Sequence, residues 1–134
     1  MNRKTARENA FILLFEKMIR SDEPSEEIFR VATDERGLEY DDYVKTVFFG
    51  ASENRTIINE TIEKSLIGWK HDRISYVSRA VLTLSVFELL FMEDIPVFVS
   101  VNEAVELSKK YDDDKAYAFV NGVLNAIAKD IDRK

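Results

Sequence analysis

Cysteine is absent from all 134 residues, and with it every disulfide, thiolate metal site and cysteine nucleophile. A reducing cytoplasm is the simplest compartment for such a chain. There is one histidine, His71, and one tryptophan, Trp69. A single imidazole cannot form a two-histidine zinc motif, and a lone tryptophan beside helix ends is a packing anchor. Neither residue is assigned a chemical role. Four isolated glycines cannot build a phosphate-cradling G-x-G-x-x-G or G-x-x-x-x-G-K-[ST] loop. With only two prolines besides, the chain is also too poor in turn residues for a many-stranded β protein. No run approaches the ~18 apolar residues that span a membrane, and the charged start lacks the apolar stretch of a secretion signal. A soluble, unprocessed chain with no membrane partner is expected. An enzyme needs an activated nucleophile, an acid/base pair, a metal site or a cofactor loop. None is found, so the expectation is a non-catalytic protein with no metal and no cofactor.

What is present is helical. At 46% hydrophobic and 33% charged residues the chain is too apolar for disorder, and its length fits one domain, residues 1–134, burying roughly two thirds of its unfolded surface. Apolar residues recur at three-to-four spacing from Thr5 to Arg20 (Ala6, Ala10, Phe11, Leu14, Phe15, Met18). A short helix capped by Ser25 runs to about Asp34, and TDERGLEY (residues 33–40) reads as a surface loop. Asp41 or Asp42 caps a long third helix reaching Leu66, with Gly50 inside it at a point of close packing. The segment IGWKHDR separates this from a fourth helix, about Ile74 to Met92, apolar around most of its circumference and therefore central. Pro96 forces a loop. Ser100 and Glu103 have the spacing of a capping box, which starts the next helix at Ser100 and carries it to Tyr111. Asp112, Asp113 and Asp114 lack the ligand spacing of a calcium loop and read as a capping, solubilising turn. The last helix carries Phe119, Val120, Val123, Leu124, Ile127 and Ile131, with Gly122 inside it where helices approach closely.

The charge distribution points to binding. The net charge of −6 argues against nucleic acid, but the first twenty residues carry +3 and the remainder −9. Arg3, Lys4 and Arg7 fall within just over one turn at a helix N-terminus, where cations oppose the macrodipole by up to about 1 kcal/mol each. Adjacent cations there can hold phosphates. Tyr117 and Phe119 offer rings on which single-stranded bases stack, with Lys115 nearby. Glu88 is a carboxylate on an otherwise apolar helix and requires a partner or an interface; Arg79 is the candidate. Two classes remain open: an RNA-binding module, and a helical protein–protein adaptor or homodimer with no RNA binding of its own.

The strings ARENAFILLFE, WKHDRISYVSRAVLTLSVFELL, DIPVFVSVNEAVELSKKY and FVNGVL, in this order from about Arg3 to about Ile131, resemble the NusB family of bacterial transcription antitermination factors. The resemblance implies an all-α domain of six to seven helices, two three-helix halves packed across each other. It implies a transcription antitermination factor that binds boxA-type single-stranded RNA together with ribosomal protein S10 (NusE). The implied setting is an RNA polymerase antitermination complex, notably on ribosomal RNA operons, with some members monomeric and others homodimeric. The family's basic N-terminal motif falls on Arg3, Lys4 and Arg7, and its FVNG motif on Phe119, Val120, Asn121 and Gly122. The S10-facing surface falls on the fourth and fifth helices, with Arg79, Glu88 and Glu103 as candidates. Ser78 and Thr83 depart from the family pattern, standing where many members have an acidic residue and an arginine.

Overall fold

Each helix starts where a side chain or a proline stops the chain from continuing. The computed structural model describes residues 1–66, 68 and 74–131; Trp69 and His71 lie outside them. Among the described residues there are seven α-helices and no strand. Helix α1, Arg3–Ile19, begins at Asn2, whose Oδ1 accepts the Thr5 N–H at 2.8 Å. Helix α2, Ser25–Arg30, follows Pro24 and widens into a π-helical turn, Val31–Glu35. Ser25 is thus the first helical residue rather than the cap, and its hydroxyl donates to Ser52 Oγ at 3.0 Å.

The expected long third helix is two. Helix α3, Asp42–Glu53, is capped by Asp41, whose Oδ1 accepts the Val44 N–H at 3.0 Å, and it stops at Asn54. Asn54 leaves the helical region (φ −107°, ψ 25°) and donates its side-chain N–H to the Gly50 carbonyl at 2.8 Å. Helix α4, Arg55–Lys64, then starts afresh. The apolar spacing runs through the break, because Ile58 and Ile62 are buried in α4 as Val47 and Ala51 are in α3. Periodicity alone therefore joined them.

Helix α5, Tyr76–Phe91, is capped by Ser75, whose hydroxyl accepts the Ser78 N–H at 2.9 Å. It buries Ala80, Val81, Leu82, Leu84, Val86, Phe87 and Leu89 and packs against α1, α3, α4, α6 and α7. It is the central helix the sequence predicts. Helix α6, Val97–Tyr111, starts three residues before the expected Ser100, directly after Pro96. Helix α7 is Ala116–Ala128. Two groups result, α1–α3 and α5–α7, joined where α1 packs on α5, with α4 set against α5 and α7. Gly50 sits where α3 crosses under α5: a Cβ built there would fall 2.5 Å from Phe87 Cζ and 2.6 Å from its Cε1. The close packing expected at this glycine is what the structure has.

Candidate nucleic-acid interface

The N-terminal cations divide into two kinds. Arg3, Lys4 and Arg7 follow one another on α1, but the buried stripe of that helix is defined by Ala6, Ala10 and Phe11, and Arg7 lies on its edge. Arg3 and Lys4 are exposed. Arg7 is only 4% exposed. Its Nε donates to Glu88 Oε2 at 2.8 Å, its Nη2 to Glu88 Oε1 at 3.4 Å, and its Nη1 to Glu103 Oε1 at 3.2 Å. This corrects three expectations at once. Arg7 does not stand in a row of solvent-facing cations. Glu88, with no exposed surface, is enclosed within the fold rather than placed on its surface. Its ion-pair partner is Arg7 rather than Arg79.

A buried charge is tolerable only when its lone pairs are satisfied, and Glu88 meets that condition. Besides Arg7 it accepts from the Ser100 hydroxyl at 2.7 Å and from the Tyr43 hydroxyl. Ser100 is therefore inside α6 as a donor to Glu88, and Glu103 reaches to Arg7, so neither forms the expected capping box. Burial and the adjacent Glu88 carboxylate push the Tyr43 hydroxyl far above the ordinary phenol range, which keeps it protonated and a donor. Burial works against the charge on Arg7, but the Glu88 hydrogen bond and charge outweigh it and raise the guanidinium above its usual value. The network draws on α1 (Arg7), α3 (Tyr43), α5 (Glu88) and α6 (Ser100, Glu103). It fixes the N-terminal turn of α1 to the rest of the fold.

The surface above this network is cationic and aromatic. The guanidinium of Arg3 lies 4.5 Å from the centre of the Tyr43 ring. Beside it, a groove of about 300 Å³ between α1 and α6 is lined by Lys4, Lys109 and Lys110 together with Glu8, Glu103 and Glu106. Glu8 is taken up by Lys110 (2.8 Å) and Glu103 by Arg7; the Lys110 hydrogen bond holds the Glu8 carboxyl below its ordinary value. Lys109 Nζ lies 5.1 Å from the centre of the Tyr117 ring, which is 39% exposed. Arg3, Lys4, Lys109 and Tyr117 thus form a continuous strip from α1 across α6 to α7. In the sequence alone, Lys109 and Lys110 are only the polar side of a helix. The groove depends on α1 lying against α6, which no local pattern encodes.

The other expected residues distribute around this strip. Lys115 is exposed at the turn before α7, where Asp113 Oδ1 accepts the N–H groups of Lys115 and Ala116, each at 3.0 Å. Of the three aspartates, Asp113 thus caps the last helix, as expected. Asn121 is exposed one turn beyond Tyr117. Phe119 is only partly exposed and packs against the core; two residues from Tyr117, it faces another direction. Arg79 lies apart from Glu88 and Glu103, in a cleft between α1, α4 and α5. Among the described residues, no group of histidine, aspartate and glutamate is arranged to hold a metal ion, and no helix is long and apolar enough to cross a membrane.

Residues 4–129 match the model of the NusB family. The transcription antitermination protein NusB of Bacillus licheniformis is 45% identical over 132 residues, spanning 98% of this chain and 100% of that protein. NusB of T. maritima superposes with a TM-score of 0.84 at 37% identity, covering 97% of this chain and 92% of that one. A chain in the complex of antitermination factors NusB and NusE with double-stranded RNA superposes with a TM-score of 0.82 at 38% identity, covering 95% and 96%. Agreement in sequence and in backbone over nearly the whole length means that this chain belongs to the NusB family of transcription antitermination proteins, which are regulators and not enzymes.

Proposed function

We propose that this protein acts in the cytoplasm, binding boxA-type single-stranded RNA together with ribosomal protein S10 (NusE) in an RNA polymerase antitermination complex on ribosomal RNA operons. The observation that carries the reading is the strip formed by Arg3, Lys4, Lys109 and Tyr117, an exposed cationic track on a chain of net charge −6. Cations hold the phosphates, and the Tyr117 ring stacks a base. Lys115 and Asn121 extend the strip along α7, and Phe119 supports it from the core side. Arg7 acts here as a positioning residue, since its guanidinium is occupied by Glu88 and Glu103. The S10 surface is assigned to the partly exposed side of α5 around Arg79 and to the partly exposed Glu103 on α6. A relative solved with NusE and RNA supports the pairing of the two partners.

The test is fluorescence anisotropy of a labelled boxA-type RNA, with and without S10, at several salt concentrations. Binding that tightens with S10 and weakens with salt is expected. Arg3→Ala and Lys4→Ala should each flatten the slope of log K against log salt by about 0.7, with Tyr117→Ala lowering affinity at every salt concentration. No binding by the folded protein in either condition would leave a helical adaptor.

A further inference from the structure

Among the described residues, two arginines have no partner, and they line the same cavity. Arg7, Arg20, Arg30 and Arg36 are ion-paired and Arg3 lies over a tyrosine ring. Among the described residues, the guanidinium groups of Arg55 and Arg79 are engaged by nothing. Both face a cavity of about 400 Å³ enclosed by the C-terminal half of α1, the α3–α4 junction and the first turns of α5. Lys17 is the third cation there. Its Nζ donates to the carbonyls of Ser21 (3.2 Å) and Glu23 (2.5 Å), which pins it and leaves one of its three donors. No aspartate or glutamate among the described residues lines this cavity, although the chain has 25 acidic residues against 19 basic ones. Arg55 moreover opens α4, whose first turn has no acidic residue, so its charge opposes the helix dipole without local compensation.

We propose that this cavity binds the phosphate groups of a small phosphorylated ligand of nucleotide size. Guanidinium forks pair bidentately with phosphate oxygens, and Lys17 supplies a third positive donor. Ser21 and Asn59 add neutral hydrogen-bonding groups, and Tyr76, 58% exposed at the mouth, adds an aromatic face. The volume suits a small ligand. A nucleic-acid strand is the poorer fit, because strands follow extended cationic tracks whereas these three cations converge on one cavity. That cavity is also distinct from the proposed RNA strip: Lys4 and Lys17 are thirteen residues apart on one helix, roughly 20 Å at ~1.5 Å per residue. The inference goes beyond the antitermination reading and does not rest on it; Arg79 is shared with the proposed S10 surface, so the cavity is tested without S10.

The test uses the full chain alone, without RNA or S10, titrated with pyrophosphate and with adenosine diphosphate at constant ionic strength. The readouts are thermal unfolding and isothermal calorimetry. A saturable rise in Tm is expected for the unaltered protein. R55Q/R79Q should lose it, with binding weakened at least about tenfold per arginine. K64Q/K129Q, which removes the same charge from exposed positions elsewhere, should keep it. No saturable shift in the unaltered protein, or equal shifts in all three, would overturn the proposal. So would an RNA affinity that falls in R55Q/R79Q while neither phosphate compound binds. Should the double variant not fold, Arg79→Lys alone keeps the charge and loses the fork; an unchanged affinity in it would equally overturn the proposal.

Discussion

Arg7 shows how a residue's identity can be legible while its role is not. Its place beside Arg3 and Lys4 makes it one of three surface cations by spacing, yet a difference in azimuth of only about 40–60° puts it against Glu88 and Glu103. The signal that separates them is the position of Ala6 and Ala10, which define the buried side of α1. Removing one partner of a buried pair leaves an uncompensated charge. Arg7→Ala is therefore expected to lower stability by about 3–5 kcal/mol in urea unfolding, whereas Arg3→Ala and Lys4→Ala leave stability nearly unchanged. A double change to apolar residues, Arg7→Met with Glu88→Leu, should recover most of the loss, because no charge is then stranded. Gly50 gives the opposite lesson. Alanine is the better helix former by about 1 kcal/mol, but here its methyl group meets the ring of Phe87, which is itself buried and packed at a tilt against Phe91. Gly50→Ala should still destabilise by about 1–3 kcal/mol, measurable as a lower Tm.

Among the elements, the helices themselves were legible and their ends were not. Apolar spacing finds α1, α5 and α7 to within a few residues, since α1 and α7 each bury one main stripe and α5 is buried around most of its circumference. It fails at Asn54, where the stripe continues through a real break, and at Ser100, where a serine with capping spacing is needed instead by a buried carboxylate. Both misses come from a tertiary demand that local pattern cannot carry. Asp112 illustrates a junction between elements. It ends α6 and accepts the hydroxyls of Ser75 (2.6 Å) and Ser78 (2.8 Å) at the start of α5. Partial burial works to raise its pKa, but the Ser75 hydroxyl, the Asp113 N–H and the Ser78 hydroxyl outweigh that and hold it below the ordinary 3.8. A carboxyl depressed in the folded state contributes stability that is fully present above its unfolded value and lost as pH falls through the folded one. The stability gap between the unaltered protein and Asp112→Asn, read from denaturation curves, should hold at pH 5–7 and shrink as pH drops below 3.8. A gap independent of pH would remove this role.

For the whole molecule, family and fold were legible because four separated blocks occur in order, and an all-α domain of seven helices is what they encode. The candidate site was half legible. Arg3, Lys4, Lys115, Tyr117 and Asn121 are exposed, but Lys109 and Lys110 join them only because α1, α6 and α7 meet. Of the three residues assigned to one partner surface, Arg79 stands apart from Glu88 and Glu103, which share Arg7, for the same reason. The Arg7–Glu88 bond spans 81 positions of chain, and Arg7 to Glu103 spans 96. During synthesis, the Arg7 anchor of α1 is therefore incomplete until Glu88 and then Glu103 have left the ribosome. Arg3 and Lys4 are made well before either carboxylate, so their turn of helix is clamped to the rest of the fold only after α5 and the first half of α6 have been synthesised.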